Sequence, residues 1–271
     1  MPVAPAPKRW LAAAAKTLAP RLYWRRKYRI LLRLGQTRPD VALVGSLCDP
    51  NRVSLDVGAD VGEFTIAMLG SSRSVIAFEP RPAQARDLAA MFGALGAKVR
   101  VEAMALSDRP GVTAMRVVRS EPGRSTIEGH NVLGDLGGPC GGAITTIDVQ
   151  VKRLDDLHLD NVGLVKVDVE GHELAVLRGA ADTLVRNRPA IVVEAEERHH
   201  PNAVAALTEY LTGLGYAGSF SLGSDPDADR RPIEEFDAAR HQNPANIGGR
   251  AAGWAARGVY VNNFVFLPKG D

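Results

Sequence analysis

Cysteine is scarce in this sequence, since Cys48 and Cys140 are the only two among 271 residues. Two thiols are too few for the disulfide framework of a small secreted domain or for a four-cysteine zinc site. Long apolar runs are absent as well, because the run over residues 10–15 ends at Lys16. It is too short for the core of a signal peptide, and no run approaches the roughly 20 apolar residues of a spanning helix. We therefore expect a cytoplasmic protein without a transmembrane segment.

Neither sign of charge dominates, since 33 Lys and Arg against 31 Asp and Glu give a net charge of +2. With 45% hydrophobic and 24% charged residues, this composition excludes a disordered, collagen-like or coiled-coil chain. The balance conceals an asymmetry: residues 1–40 hold ten basic side chains and a single acid, Asp40, which leaves 23 basic and 30 acidic groups elsewhere. Such a basic segment is typical of contact with an acidic partner, a nucleic acid or a membrane surface.

The segment 20–35 predicts one amphipathic helix with a basic face that ends at Gly35. Such a helix either lies at a membrane interface, with Tyr23, Trp24 and Tyr28 at the headgroup level, or packs on the rest of the protein with its basic face in water. The apolar face is short, which favours packing. We assign residues 1–49 to a basic helical extension and residues 50–271 to the main domain, and leave peripheral membrane contact and self-association open.

From residue 52 onward, short Val- and Ile-rich runs alternate with helical patterns, which predicts parallel strands in a doubly wound α/β domain. The last apolar run follows no long helical crossover, so it is expected to run antiparallel. Two insertions interrupt the pattern: residues 104–152, β-rich around a glycine-rich loop at 134–142, and the polar segment 225–257. The expected strands are 52–57, 74–78, 98–103, 112–118, 147–152, 163–168, 189–194, 216–222 and 259–266, and the expected helices are 62–70, 82–95, 171–187 and 204–213.

The first strand ends in a glycine-containing turn that begins at Asp56 and reaches Gly62. The topological rule for open sheets places ligands at such a turn, where glycine lets the backbone approach closely. Asp60 stands where a dinucleotide fingerprint has its second glycine, and a carboxylate there would repel a pyrophosphate. Asp56 and Asp60 suit a cationic ligand instead, and S-adenosylmethionine carries an ammonium and a sulfonium.

The next two strands end in polar residues as well. Glu79 follows the second strand and is followed by Pro80, at the spacing at which an acid accepts hydrogen bonds from a ribose diol. After the third strand come Ser107 and Asp108, and Asp108 is either an acceptor for an adenine amino group or a turn residue. Together with the first turn, these residues indicate a nucleoside-bearing cofactor.

The fourth strand is followed by four ionisable groups within six residues, among them Asp168 and His172. Acids at the start of the following helix favour its dipole, but this does not explain Asp168 at the end of a buried strand. A cation is unfavourable there, so the imidazole of His172 is expected to be neutral, and a neutral imidazole at a strand end is a candidate general base.

These motifs resemble those of the FkbM family of S-adenosylmethionine-dependent methyltransferases over roughly residues 50–200. The resemblance is carried by Asp56 to Gly62, Phe78 to Pro80, Lys166 to Glu173, Leu177 to Ala180 and Val192 to Glu194. The family usually has Asn where this chain has Asp60, a change that keeps hydrogen-bonding capacity.

The resemblance implies a Rossmann-like class I sheet of seven strands with an antiparallel last strand and helices on both faces. It implies O-methylation of a hydroxyl, most often of a sugar in a glycan, glycolipid or secondary metabolite. Asp168 would lie beside the methyl donor and His172 would be the base, with Glu194 as second choice or as an acceptor for a sugar hydroxyl. The predicted cofactor-binding residues are Asp56, Gly58, Ala59, Asp60, Gly62, Glu63, Phe64, Thr65, Glu79, Pro80, Ser107, Asp108 and Asp168.

Other functions are weaker candidates. The turn at Asp60 argues against an NAD-dependent oxidoreductase, and the full set of acids argues against a non-catalytic binding module. A nucleic-acid substrate is not expected, because no asparagine-proline-proline-aromatic signature follows the fourth strand. Mg²⁺ held by Asp168 with a neighbouring glutamate stays an option that is not predicted, and zinc at His199 and His200 is disfavoured because adjacent side chains point apart. We expect a small-molecule or glycan acceptor.

Overall fold

The computed structural model describes residues 14–118, 123, 125–128, 144–223, 229–246 and 258–270. Within these residues lie eleven strands: β1 (Val53–Val57), β2 (Ser74–Phe78), β3 (Val99–Glu102), β4 (Ala105–Leu106), β5 (Gly111–Val118), β6 (Ile144–Lys152), β7 (Val162–Val167), β8 (Ala190–Glu194), β9 (Tyr216–Ser221), β10 (Arg230–Pro232) and β11 (Asn263–Pro268). The helices are α1 (Pro20–Gly35), α2 (Pro39–Ser46), α3 (Glu63–Leu69), α4 (Pro82–Leu95), α5 (Glu173–Arg178), α6 (Ala181–Asn187), α7 (Ala203–Gly213) and α8 (Ala238–His241).

One large sheet organises the fold, with its strands in the order β10-β9-β11-β8-β7-β1-β2-β3. Strands β1, β2, β3, β7 and β8 are parallel, whereas β11 runs antiparallel to both β8 and β9. The chain leaves β1 toward β2 and β3 on one side and later returns to β7 and β8 on the other. This reversal between β1 and β7 is the position at which open α/β sheets bind ligands.

The expected sheet and its antiparallel last strand are confirmed, but the expected count of seven strands is wrong. Among the described residues the sheet has an eighth strand, because the short segment β10 pairs antiparallel with the edge of β9. It belongs to the polar insertion at 225–257, whose composition gave no strand signal. In that insertion, residues 224–228 and 247–257 lie outside the described residues.

Helices cover both faces of the sheet. On one face, α5, α6 and α7 pack on alternate residues of the central strands, among them Leu55, Val165 and Ile191. On the other face, α2 and α3 pack on the intervening residues, such as Leu164 and Val192. Because consecutive residues of a central strand face opposite layers of helices, both sets of side chains are buried, and the strands are apolar throughout.

The helix expected over residues 171–187 is two helices, α5 and α6, separated at Gly179. A Cβ atom at Gly179 would lie 2.0 Å from the backbone oxygen of Ser107, so the chain comes too close there for any side chain. The carboxylate of Asp155 then accepts hydrogen bonds from the backbone N–H groups of Asp182 and Thr183 and begins the second helix.

A second, three-stranded sheet follows β3, in the order β4-β6-β5, with β5 and β6 antiparallel. It occupies part of the segment 104–152. The glycine-rich loop at 134–142 lies outside the described residues, as do the first 13 residues of the basic extension.

The basic extension includes α1, which packs on the domain through Trp24 and Leu31, against a cluster that includes Leu88 and Phe92 of α4. This is the packing expected from its short apolar face. None of the helices within the described residues has the length and apolarity needed to cross a membrane.

Candidate functional site

The turn after β1 brings two strand ends together. Gly58 has φ +86°, and a Cβ atom there would lie 1.8 Å from the carbonyl oxygen of Asp168. Only glycine allows this approach, since any side chain would push β1 and β7 apart. Two residues later the turn reaches Asp60, also at positive φ, and Gly62 at φ +90° begins α3.

A cavity of about 540 Å³ opens where β1, β2 and β7 end. Apolar side chains form much of its wall, and acids from the strand ends form the polar part. Its far wall comes from the β4–β5 region and from residues 123 and 125–127, which lie over the strand ends. The lining residues are Val57, Gly58, Asp60, Phe78, Glu79, Pro80, Arg81, Met104, Ala105, Leu106, Met115, Gly123, Ser125, Thr126, Ile127, Asp168, Val169, Glu170 and His172.

Glu79 is buried and its carboxylate accepts four hydrogen bonds. Three come from Arg81, through its backbone N–H and through Nε and Nη2 at 2.8 and 2.9 Å. The fourth comes from the backbone N–H of Asp60 at 3.0 Å. Arg81 also donates to Oδ1 of Asp60 at 2.6 Å, so one guanidinium joins both acids, and its own pKa is raised by them against the effect of burial.

Beside the cavity lies a buried row of charged groups from three neighbouring strands. The ammonium of Lys166, with a fully buried side chain, donates to Asp168 Oδ2 at 2.9 Å and lies 4.0 Å from the ring centre of Phe64. Burial acts to lower the pKa of Lys166, but attraction by Asp168, Glu194 and Asp56 raises it. Burial raises the pKa of Asp56, and burial with repulsion from Asp168 raises that of Glu194. The row therefore contains one ion pair, Lys166 with Asp168, flanked by two carboxyl groups whose pKa values are raised.

His172 lies at the N-cap of α5 and is held from both ring nitrogens. Its Nε2 is 2.8 Å from Oγ of Ser107, and its Nδ1 contacts Oε1 of Glu128. A carboxylate at Nδ1 fixes a proton on that nitrogen, which leaves Nε2 as the acceptor that a general base needs. Glu128 is held in turn, because its backbone oxygen accepts a hydrogen bond from Arg116 and its N–H donates to Thr126.

A second cavity of about 710 Å³ lies on the other side of the His172–Glu128 pair. It is formed between α5, α7 and the turn before α7. Apolar side chains such as Leu174 and Leu207 share its wall with Arg178, His200 and Asn202. His172 lines both cavities, so its imidazole lies in the wall between them.

An ion-pair cluster supports this wall from β8 and the loop after it. His199 Nε2 lies 3.1 Å from Oε2 of Glu170 and 3.7 Å from Oε1 of Glu196, and Arg198 donates to both oxygens of Glu196. Burial acts to lower the pKa of His199, but its hydrogen bonds to the two carboxylates raise it to about 9. Burial acts to raise the pKa of Glu196, but His199, Arg198 and Tyr260 lower it to about 2.

Six of the predicted site residues meet in the first cavity: Gly58, Asp60, Glu79, Pro80, Asp168 and His172. Ser107 and Asp108 do not line it, and Ser107 contacts the predicted base instead of a cofactor. Glu194 lies outside it as well and accepts a hydrogen bond from Asn262 at 2.6 Å.

The remaining predicted residues do not line the cavity and lie in or next to the turn after β1. Asp56 lies beneath the cavity floor and accepts a hydrogen bond from Thr65, and its Oδ1 is buried without a partner among the described residues. Ala59 packs in the cluster around Trp24, and Gly62 caps α3. Glu63 pairs with Arg38, and Phe64 lies beneath the Lys166 ammonium. Asp56 is thus placed to act on a ligand only through its neighbours, because it is fully buried and does not line the cavity.

Three residues beside the site were not predicted. Arg81 follows the Phe78–Pro80 motif directly, and its position after a buried acid was a usable signal. Lys166 begins the fourth-strand motif, but the sequence does not indicate a separate role for it. Glu128 carried no signal, since its approach to His172 depends on how the inserted segment folds back over the strand ends.

The first cavity fits a nucleoside-bearing cation in its chemistry. Phe78, Met104, Leu106 and Ile127 offer apolar surface for a base, and acidic side chains line the same cavity. The four acceptor positions of Glu79 are occupied, so a ribose can reach this carboxylate only if Arg81 withdraws. Within the described residues no group of three His, Cys, Asp or Glu side chains could hold a metal ion.

The chain is similar in sequence to known proteins. A family model described as the methyltransferase FkbM domain matches residues 56–217. The chain is 28% identical over 219 residues to the AMB antimetabolite synthetase AmbE of Pseudomonas aeruginosa, covering 68% of this chain and 10% of that protein. It is 32% identical over 194 residues to the methyltransferase sdnD of Sordaria araneosa, covering 59% of this chain and 71% of that protein.

Among solved structures, the FkbM methyltransferase of Methylobacillus flagellatus KT is similar with 17% identity and a TM-score of 0.48, over 80% of this chain and 44% of that one. The chain thus spans a tenth of the synthetase and less than half of the crystallised methyltransferase. The family model covers more than half of the chain and includes the turn after β1, the acid after β2 and the motif after β7. The chain belongs to the FkbM methyltransferase family.

Proposed function

We propose that this protein is an S-adenosylmethionine-dependent O-methyltransferase that uses His172 to deprotonate a hydroxyl of a sugar-containing acceptor. The observation that carries the proposal is the place of His172, in the wall between the strand-end cavity and the second cavity, with Glu128 on one ring nitrogen. A base in that wall has access to a hydroxyl that enters from the second cavity.

The residues of the first cavity support S-adenosylmethionine as the cofactor. When bound, it supplies a methyl group on a sulfonium. Asp168, Asp60 and Glu170 provide negative charge for a cationic ligand, and Arg81 and His172 are the basic side chains that line this cavity within the described part of the chain. Glu79 would hold the ribose once Arg81 withdraws. An NAD-dependent reaction is disfavoured, because a pyrophosphate would meet the carboxylates of Asp60 and Asp168.

The chain's own contribution to the reaction is orientation and proton removal. Glu128 fixes the imidazole so that Nε2 can accept a proton, and its negative charge stabilises the imidazolium that forms. Ser107, 2.8 Å from Nε2, holds the ring until an acceptor hydroxyl competes for the same nitrogen. Lys166 donates a hydrogen bond to Asp168 and holds its carboxylate in place beside the first cavity.

A sugar-containing acceptor is supported by the mixture of groups in the second cavity. Sugars present hydroxyl groups and apolar C–H faces, and this wall offers Arg178, His200 and Asn202 beside leucine and alanine side chains. Glu194 lines neither cavity and accepts a hydrogen bond from Asn262, so it is less well placed than His172 to act as the base.

The proposal is tested with S-adenosylmethionine labelled on the methyl group and a panel of sugar nucleotides, methyl glycosides and glycolipids. We expect label transfer to a sugar hydroxyl by the full chain, a loss of roughly 100-fold or more for His172→Asn, and cofactor binding retained by that variant. Glu194→Gln is the matched variant and should keep transfer. Retained transfer in His172→Asn together with loss in a folded Glu194→Gln would refute the assignment of the base.

A further inference from the structure

The side of α1 that faces away from the domain carries one leucine and four arginines. Leu22, Arg25, Arg26, Arg29 and Arg33 stand at spacings of three, four, seven and eleven residues from the first, which places them on one face of a helix. All five are exposed, whereas Trp24 and Leu31 face the domain and are buried. We call these five residues the outer face.

The outer face carries charge of one sign only, because all its charged residues are arginines. Helix α1 contains no Asp or Glu. The acids near its ends are already paired with other bases: Asp87 with Lys16, and Asp40 and Glu63 with Arg38. None of the four arginines of the outer face makes a hydrogen bond or ion pair within the described ranges. Four guanidinium groups therefore stand free for an anionic partner.

Exposed leucines lie on this helix and just before it. Leu22, on the outer face, is 71% exposed, and Leu18, two residues before the start of α1, is 83% exposed. A leucine held in water among arginines gains free energy if it enters an acyl layer, at about 0.8 kcal/mol for each buried CH₂ group. This combination, a basic face with protruding leucines, is typical of a helix that lies in a membrane interface.

Lipid explains the outer face better than a nucleic acid does. A single-stranded nucleic acid would use aromatic side chains for stacking, but the aromatics of α1 are turned inward, with Trp24 buried and Tyr23 and Tyr28 half-buried against the domain. A nucleic-acid backbone would leave Leu22 in water, whereas an anionic bilayer accommodates arginines at its phosphates and leucine just below them.

We propose that the outer face of α1 binds an anionic lipid surface, with Arg25, Arg26, Arg29 and Arg33 at the phosphates and Leu22 in the acyl boundary. The helix is already fixed to the domain by Trp24 and Leu31, so binding orders no additional chain. The surface is independent of the cofactor site, and the proposal stands whether or not the proposed methyl transfer occurs.

The test is co-sedimentation of the full chain with vesicles of phosphatidylcholine alone and of equal parts phosphatidylcholine and phosphatidylglycerol. Each arginine at an anionic surface contributes about 1 kcal/mol, so four predict binding to the anionic vesicles several hundred-fold tighter, on the order of 500-fold, than to the neutral ones. High salt should remove most of the difference, since the arginines are exposed.

Substitutions distinguish the contribution of the arginines to vesicle binding from that of Leu22. The double variant Arg25→Gln, Arg29→Gln should bind anionic vesicles roughly 25-fold more weakly, from about fivefold for each arginine. The matched control Arg73→Gln, Arg240→Gln removes two exposed arginines from the body of the domain and should bind like the wild type. Leu22→Ser should weaken binding about tenfold and leave the salt dependence in place. Thermal unfolding midpoints confirm that each variant is folded.

Three results would overturn the proposal. One is equal binding to neutral and anionic vesicles. Another is an equal loss for the outer-face pair and the control pair. The third is duplex DNA binding as tightly as the anionic vesicles, with the same dependence on Arg25 and Arg29 and no effect of Leu22→Ser.

Discussion

His199 makes the stability of this protein dependent on pH in a way that a single substitution should remove. Its side chain is buried between the carboxylates of Glu170 and Glu196. Burial alone would lower the pKa of His199, but the hydrogen bonds to these carboxylates raise it from 6.5 to about 9. The perturbation is His199→Gln, which keeps a polar side chain of similar size and cannot become charged.

The magnitude follows from the two pKa values. His199 has a higher pKa in the folded protein than in the unfolded chain, so its protonation stabilises the fold. This stabilisation is fully present below about pH 6.5 and is lost as the pH rises through about 9. Each pKa unit corresponds to about 1.4 kcal/mol, so the difference between 6.5 and 9 amounts to about 3 kcal/mol. His199→Gln should therefore destabilise the protein by about 3 kcal/mol more at pH 6 than at pH 10.

The assay is urea unfolding of both proteins at several pH values between 6 and 10. The difference in unfolding free energy between wild type and variant isolates His199 from other groups that titrate in this range. His158→Asn, at an exposed turn position, is the matched control and should leave the pH dependence unchanged. A wild-type minus His199→Gln difference that is constant from pH 6 to 10 would refute the reasoning.

Three further substitutions test the turn and the charged groups. Gly58→Ala should cost about 3 kcal/mol or more in urea unfolding, because its φ is +86° and the new methyl group would collide with a carbonyl oxygen, whereas Gly93→Ala, in open space on α4, should stabilise by about 0.5–1 kcal/mol. Lys166→Met should cost about 3–5 kcal/mol by the same assay, since it leaves the partly buried Asp168 and the fully buried Asp56 without their cation, and an unchanged unfolding midpoint would contradict the ion pair. Arg81→Gln should tighten S-adenosylmethionine binding about tenfold in isothermal titration, because it frees Glu79 for the ribose, and weaker binding would mean that Arg81 itself holds the ligand.

The strands could be predicted from the sequence because they are short, rich in Val and Ile and separated by helical patterns. The antiparallel β11 followed from the missing crossover before it. Strand β10 could not be predicted, since two arginines and a proline at a sheet edge show no strand periodicity. The break between α5 and α6 was also hidden, because it depends on contact between Gly179 and a backbone oxygen 72 positions earlier in the chain, at Ser107.

Within the site, the residues that meet in the first cavity are those at the ends of adjacent parallel strands, where topology alone brings side chains together. Asp60 and Asp168 are examples. The partners of His172 required tertiary information, since Ser107 and Glu128 are 65 and 44 positions away in the chain. For Glu79 the sequence predicted an acid at a strand end that accepts hydrogen bonds from a ribose, but not the Arg81 guanidinium that occupies its carboxylate.

The central claim, that the cavity at the strand ends holds S-adenosylmethionine, is tested most directly by isothermal titration of the full chain with S-adenosylmethionine and with NAD. The account predicts saturable binding of S-adenosylmethionine, no binding of NAD, and a loss of about tenfold or more in Asp168→Ala. The matched variant Asp160→Ala, an exposed acid at the opposite end of β7, should bind like the wild type. Binding of NAD but not of S-adenosylmethionine, or equal affinities in the two variants, would contradict the account.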